Sequence, residues 1–197
     1  MTKPYRVIAL AASAGGLAAL GEVLSQLPAH LPVPILIVQH ISRDHISRAP
    51  QILDRRTGLR VKAAEEGETI KPGVAYVATS NRHLLVRPDG TLTLVQTERV
   101  RFSRPSADAL FRSCAESYGE GVIAVVLSGT GRDAADGALA IERAGGTVIV
   151  QDPESADHPG MPQATILRDT PSHVLALEEI APHLLVLLQQ ASAPEET

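Results

Sequence analysis

At 197 residues with a formal net charge of −4, the chain has the length of one domain and lacks the basic surplus that general nucleic-acid binding requires. Two Phe, three Tyr and no Trp leave little material for base-stacking platforms. No aliphatic run approaches the ~20 residues that span a bilayer, and no basic-then-apolar leader opens the chain, so the expectation is a soluble, cytoplasmic protein without membrane insertion.

In chain order, apolar runs alternate with amphipathic segments. The strand-like runs are continuously apolar rather than alternating, the pattern of strands covered by helices on both faces. Residues 5–12 read as a first strand and 17–27 as a helix with its apolar stripe on Leu17, Leu20, Leu24 and Leu27. A second strand over 34–39 ends on His40, and a helix over 47–56 enters through Pro50. Residues 74–78 read as a short strand. The segment 84–95 is two strand pieces about Asp89-Gly90, a hairpin-turn pair that predicts an antiparallel insert.

Beyond the insert, 105–118 reads as a helix with Pro105 in its first turn. Residues 122–127 form the most apolar strand, 133–144 a helix closed by Gly145-Gly146, and 147–150 another strand. A last amphipathic helix spans 175–190, and 191–197 reads as a flexible tail. The fold class expected is α/β: a doubly wound, mostly parallel sheet with helices on both faces and an antiparallel β-hairpin insert. Cys114, the single cysteine, sits in a helical stretch and reads as a core thiol.

Sites in open α/β sheets form at the carboxyl ends of the strands. Ser13, His40 and Asp133 each follow such a strand, and they are the residue types of an acyl-transfer triad: nucleophile, base and orienting carboxylate. Ala11-Ala-Ser-Ala-Gly15 nearly repeats the small-x-Ser-x-small elbow that presents a serine on a strand-to-helix turn. The backbone N–H of Ala14 is a candidate oxyanion donor at a helix amino terminus, with a second donor expected from the loop 129–131.

Each residue also has a plainer reading. The serine turn is equally a structural turn or a nucleotide-binding loop, although it lacks the G-x-G-x-x-G spacing and a P-loop lysine. His40 alone is a strand-end histidine, and Asp133 alone a helix N-cap. A metal site drawn from His40, Asp44, His45 and His158 has no H-E-x-x-H frame. The arginines of Arg99-Val-Arg-Phe-Ser-Arg104 read either as a solvated face or as a patch that steers an acidic partner.

Taken together, ordered blocks make the chain resemble the catalytic domain of the CheB-type protein-glutamate methylesterases of bacterial chemotaxis. They are Ala11-Ala-Ser-Ala-Gly-Gly16, Val38-Gln-His40, Lys71-Pro-Gly-Val-Ala-Tyr-Val-Ala78 with Asn81-Arg-His83, Arg104-Pro-Ser-Ala-Asp-Ala-Leu-Phe111, Leu127-Ser-Gly-Thr-Gly-Arg-Asp133, and Gln151-Asp152 followed by Gly160-Met-Pro162. The resemblance implies a Ser13-His40-Asp133 triad and no cofactor, with Ala14 and Thr130 as oxyanion positions and His83 as a secondary site residue.

It also implies hydrolysis of γ-glutamyl methyl esters on the cytoplasmic helices of methyl-accepting receptors, with glutamine deamidation in some members. Where the family commonly has Met-Gly-Asn-Asp-Gly, this chain has Thr130-Gly-Arg-Asp-Ala134. Because the first strand begins near Tyr5, the expectation is a catalytic domain over 1–190 without the family's usual receiver domain: either a stand-alone esterase controlled by expression or by a regulatory partner, or a piece of a longer protein. The rival readings are an acyl hydrolase for a different ester, and a non-catalytic module that binds a receptor or nucleotide.

Overall fold

The computed structural model describes residues 5–40 and 48–192. Its centre is a seven-stranded sheet in the order β3 (Arg60–Ala63), β4 (Val74–Val77), β2 (Ile35–Gln39), β1 (Val7–Ala12), β7 (Val122–Val126), β8 (Thr147–Gln151) and β9 (His173–Leu175), every pairing parallel. The middle strands are β1 (Val7–Ala12), β2 (Ile35–Gln39) and β7 (Val122–Val126), which are buried along their whole length. Alternate residues of each strand enter opposite cores: Ile8 and Leu10 one, Val7 and Ala9 the other. That two-sided burial is why these strands read as unbroken apolar runs.

One core is closed by α1 (Gly16–Ser25), α2 (Ala49–Asp54) and α6 (Leu177–Ser192), through Leu20, Leu24, Leu53, Ile180 and Leu184. The other is closed by α3 (Ala107–Tyr118), α4 (Ala135–Arg143) and α5 (Gly160–Arg168), through Leu110, Phe111, Ala138 and Met161. The hairpin of β5 (His83–Val86) and β6 (Leu92–Val95) forms its own antiparallel sheet. Leu84, Val86 and Leu92 pack it into the same core as α3.

Three elements had no clear sequence signal: the edge strands β3 (Arg60–Ala63) and β9 (His173–Leu175), and helix α5. Both edge strands are short and only partly buried, so they lack the apolar run that marks a central strand. The remaining strands are β4 (Val74–Val77) and β8 (Thr147–Gln151). Helix α5 opens on Gly160-Met-Pro162, which reads locally as a loop.

Two helix starts differ from expectation. Pro105 precedes the N-cap Ser106 of α3 instead of lying in its first turn, and the Arg104–Pro105 peptide is cis. Helix α4 begins at Ala135, with Ala134 at its N-cap, so Asp133 does not cap the helix that follows it. At the carboxyl end, α6 takes in Ala191 and Ser192 from the segment expected as tail; the remainder of that segment lies outside the described residues.

Candidate active site

In a parallel sheet the residues after two paired strands emerge side by side, about 4.8 Å apart. Ala12 pairs with Gln39, so Ser13 and His40 leave the sheet as neighbours, and the His40 N–H still donates to Ala12 O at 2.9 Å. On the other flank, Ala11 pairs with Val126, and the Ser13 N–H donates to Ser128 O at 3.0 Å. The three central strands thus bring the loops carrying Ser13, His40 and Asp133 to one end of the sheet.

His40 Nε2 meets Asp133 Oδ2 at 2.7 Å, with side-chain exposures of 15% and 4%. With Nε2–H donating to the carboxylate, Nδ1 is the nitrogen left to act as base. That is the reverse of the ring orientation in the chymotrypsin-type triad, where Nδ1–H faces the aspartate.

The carboxylate of Asp133 is saturated with donors. Oδ2 also accepts the Ala107 N–H at 2.7 Å, while Oδ1 accepts the Ser106 hydroxyl at 2.8 Å and the N–H groups of Asp108 at 3.0 Å and Ala134 at 3.1 Å. Ala107 and Asp108 are in the first turn of α3, so Asp133 fills the anion site of that helix amino terminus. Burial alone would raise its pKa. The His40 bond and charge, with the Asp108 and Ala107 amides, outweigh burial and hold the carboxyl below the usual range.

Asp108 is a second buried carboxylate beside it. Its Oδ1 accepts the Gly137 N–H at 2.7 Å and its Oδ2 the Arg101 Nε–H at 3.2 Å. Burial, reinforced by the negative charge of Asp133, pushes its pKa up to about 6. Arg101 also pairs with Asp136, which takes a further bond from Arg168 at 2.6 Å. Arg104 bonds Asn81 Oδ1 at 2.6 Å and Thr97 O at 2.6 Å. Those two arginines of the 99–104 run are therefore engaged internally and do not form a free cationic face for steering.

The turn that carries Ser13 is closed by contacts to its own backbone. Ser13 O accepts the Gly16 N–H at 2.9 Å, and Ala14 O accepts the Ser128 hydroxyl at 2.9 Å. Gly15 caps α1 with φ 71, a left-handed conformation that glycine adopts without a Cβ penalty. Ala14 thus lies just before the helix N-cap, and its N–H meets no acceptor among the described residues. Gly129 is wedged against this turn: a Cβ there would collide with Met161 Sδ and lie 2.8 Å from Ser13 Cβ.

The other expected positions separate. The Gly129 N–H is taken by His158 O at 2.8 Å, which removes it as an oxyanion donor, whereas Thr130 lies exposed on the rim. His83 is 1% exposed and, among the described residues, is linked to the site through Ser106. Its Nδ1 accepts the Ser106 N–H at 3.2 Å, so the ring carries its hydrogen on Nε2, which donates to Glu98 O at 3.0 Å. Cys114 is fully buried, and burial pushes its thiol pKa up. No group of three or more His, Cys, Asp or Glu side chains converges as a metal site among the described residues; Asp44 and His45 lie outside them.

Three contributors stand in the sequence blocks of the family resemblance without a role assigned to them there. Ser106 links His83 to Asp133, and Met161 packs against Gly129. The third, Gln39, donates from Nε2 to both Ser13 O at 2.8 Å and His40 O at 2.9 Å. In the sequence Gln39 is marked by its place in the block Val38-Gln-His40 and by being a polar residue at the end of an apolar strand.

Residues 8–184 match the family described as CheB methylesterase. A Leptospira interrogans protein is 41% identical over 186 residues, an alignment covering 94% of this chain and 96% of that one. A Myxococcus xanthus protein named protein-glutamate methylesterase/protein-glutamine glutaminase 4 is 42% identical over 178 residues, covering 90% of this chain and 50% of the relative. The chain therefore spans nearly all of the first relative and about half of the second. The crystal structure of the Thermotoga maritima CheB methylesterase catalytic domain superposes with a TM-score of 0.89 at 33% identity, over 93% of this chain and 98% of that one.

Proposed function

Because the chain belongs to the CheB methylesterase family, we propose that it hydrolyses γ-glutamyl methyl esters on the cytoplasmic helices of methyl-accepting receptors, with Ser13, His40 and Asp133 as its triad. The observation that carries this reading is the 2.7 Å bond from His40 Nε2 to Asp133 Oδ2, with His40 directly after the strand that pairs with the one Ser13 follows.

Ser13 Oγ attacks the ester carbonyl as its proton passes to His40 Nδ1. The Ala14 N–H, which has no other acceptor among the described residues, donates to the developing oxyanion. Thr130 N–H is the second donor. As the tetrahedral intermediate collapses, the C–O bond to the methoxy group breaks and His40 protonates the leaving methanol. Water, deprotonated by His40, then hydrolyses the Ser13 acyl-enzyme to glutamate. The same sequence on a glutamine side chain releases ammonia, which is the deamidase activity.

Asp133 holds His40 in the required tautomer and stabilises the imidazolium. The donors on its carboxylate keep it ionised while it does so. The reading is tested by methanol release from a methylated receptor cytoplasmic fragment. Release by the wild type that falls by about 10⁴-fold in Ser13→Ala supports it. No release by the folded wild type, or equal release by the mutant, overturns it.

A further inference from the structure

Gln39 is the last residue of β2 and is only 6% exposed. Its side-chain nitrogen donates to the backbone carbonyls of Ser13 and His40, at 2.8 and 2.9 Å. A group placed between two carbonyl oxygens must offer two N–H bonds from one atom, and a neutral primary amide does so. The orientation of the amide follows, because the opposite one would set an oxygen against both acceptors. Gln39 Oε1 is directed toward Gly16, where an added Cβ would lie 2.8 Å from it, so Gly16 also makes room for the glutamine.

The carbonyl of Ser13 and the N–H of Ala14 belong to one peptide unit. That unit is planar and trans, so the two groups point in opposite directions. Ser13 O is drawn inward by two donors, Gln39 Nε2 at 2.8 Å and the Gly16 N–H at 2.9 Å. The Ala14 N–H is thereby turned outward, to the side where it meets no acceptor among the described residues.

We infer that Gln39 is a positioning residue: by holding the Ser13 carbonyl it aims the Ala14 N–H as oxyanion donor, and by holding the His40 carbonyl it fixes the base in the same frame. The inference rests on the esterase reading given above. It assigns Gln39 no contact with substrate and no proton transfer. Without its donors, the Gly16 N–H is what still holds the Ser13 carbonyl among the described residues.

Two variants of the full chain test this. Gln39→Met keeps the length of the side chain without a donor, and Gln39→Glu sets an acceptor against the two carbonyls. The first readout is the rate at which a fluorophosphonate labels Ser13. In that reaction the Oγ–P bond forms, the P–F bond breaks, fluoride leaves and the serine proton passes to His40. The second is methyl-ester turnover with kcat and KM separated.

Both variants are expected to slow labelling and kcat by on the order of 10²-fold, the loss typical of one oxyanion donor. KM stays within about threefold. For Gln39→Met, which adds no charge beside the His40–Asp133 bond, the pH midpoint of labelling is expected to match the wild type. Circular dichroism and a urea midpoint establish folding; if Gln39→Glu does not fold, Gln39→Met decides.

Labelling of a folded variant at the wild-type rate, or a loss confined to KM, overturns the assignment. The wild type distinguishes the two levels of the claim. If folded wild type leaves Ser13 unlabelled, the esterase reading fails and the role of Gln39 fails with it. If wild type and variants label equally, only the role of Gln39 fails.

Discussion

The turn that carries Ser13 and the pocket that holds Asp133 are built on different physics. Around Ser13 every anchoring contact is between neutral groups: the Ser128 carbonyl and hydroxyl, the Gly16 amide and the Gln39 amide. Room for the turn depends on glycines at 15, 16 and 129, where an added Cβ would meet a neighbour. Around Asp133 the order comes from charge: a helix amino terminus, the His40 ring, and a second carboxylate tied to Arg101. The Ser13 side therefore responds to volume and the Asp133 side to charge and pH.

The largest effect that tests this contrast is on the carboxylate side. Asp133→Asn keeps the shape but removes the charge that fixes the His40 tautomer, and ester turnover is expected to fall by about 10⁴-fold. Steady-state kinetics on the methylated fragment read this directly, and turnover within tenfold of wild type removes Asp133 from the mechanism.

On the Ser13 side the matching test adds one methyl group. Gly129→Ala sets a Cβ against Met161, which is fully buried, and against Ser13. Overpacking of this kind costs about 1–3 kcal/mol. Urea unfolding is expected to show that loss, and labelling of Ser13 to slow with it. A variant that keeps full stability and labelling shows that the wedge is soft.

Next comes the pair of carboxylates, which pull stability in opposite directions with pH. The folded-state pKa of Asp133 lies below its ordinary value, so its contribution is present above that ordinary value and is lost as pH falls through the folded one. The folded-state pKa of Asp108 is raised from 3.8 to about 6, so the native state binds its proton more tightly than the unfolded chain does. Its contribution is complete below the unfolded value and is lost as pH rises through about 6. The stability of wild type relative to Asp108→Asn is therefore expected to be larger at pH 5 than at pH 7.5, read by urea denaturation. A difference that is equal at both pH values, or reversed, contradicts the raised pKa.

The smallest effect lies between the two regions. Ala134 has φ 91, a left-handed conformation unusual for a residue with a Cβ, and it directly follows Asp133. Relief of that strain is worth about 1–2 kcal/mol per residue. The lost burial of one methyl takes back ~0.8 kcal/mol. Ala134→Gly is expected to gain up to about 1 kcal/mol of stability with activity retained, measured by thermal and urea unfolding.

Much of the frame was legible because burial leaves a local trace. Continuous apolar runs marked β1, β2, β7 and β8 to within about two residues, and Asp89-Gly90 marked the hairpin between β5 and β6. The same runs placed Ser13, His40 and Asp133 just beyond strand ends. Edge strands β3 and β9 were missed because they bury too little apolar surface to leave such a run. Helix α5 was missed because Gly160 and Pro162 mask its start.

What the sequence determined by itself was the succession of strands and helices, and with it which polar residues stand at the carboxyl end of the sheet. Only the tertiary structure decided what those residues bind. Asp133 stands two residues before α4, the helix that its position suggests it caps, yet it serves α3, twenty-five residues upstream at Asp108. Arg101 and Arg104 stand in a charged run, yet they serve Asp108, Asp136, Asn81 and Thr97. Hydrophobic burial is nondirectional and repeats with the period of an element, so it is written along the chain. A hydrogen bond needs a donor and an acceptor within about 3 Å and in line, and which groups meet that condition is fixed only when separate elements pack.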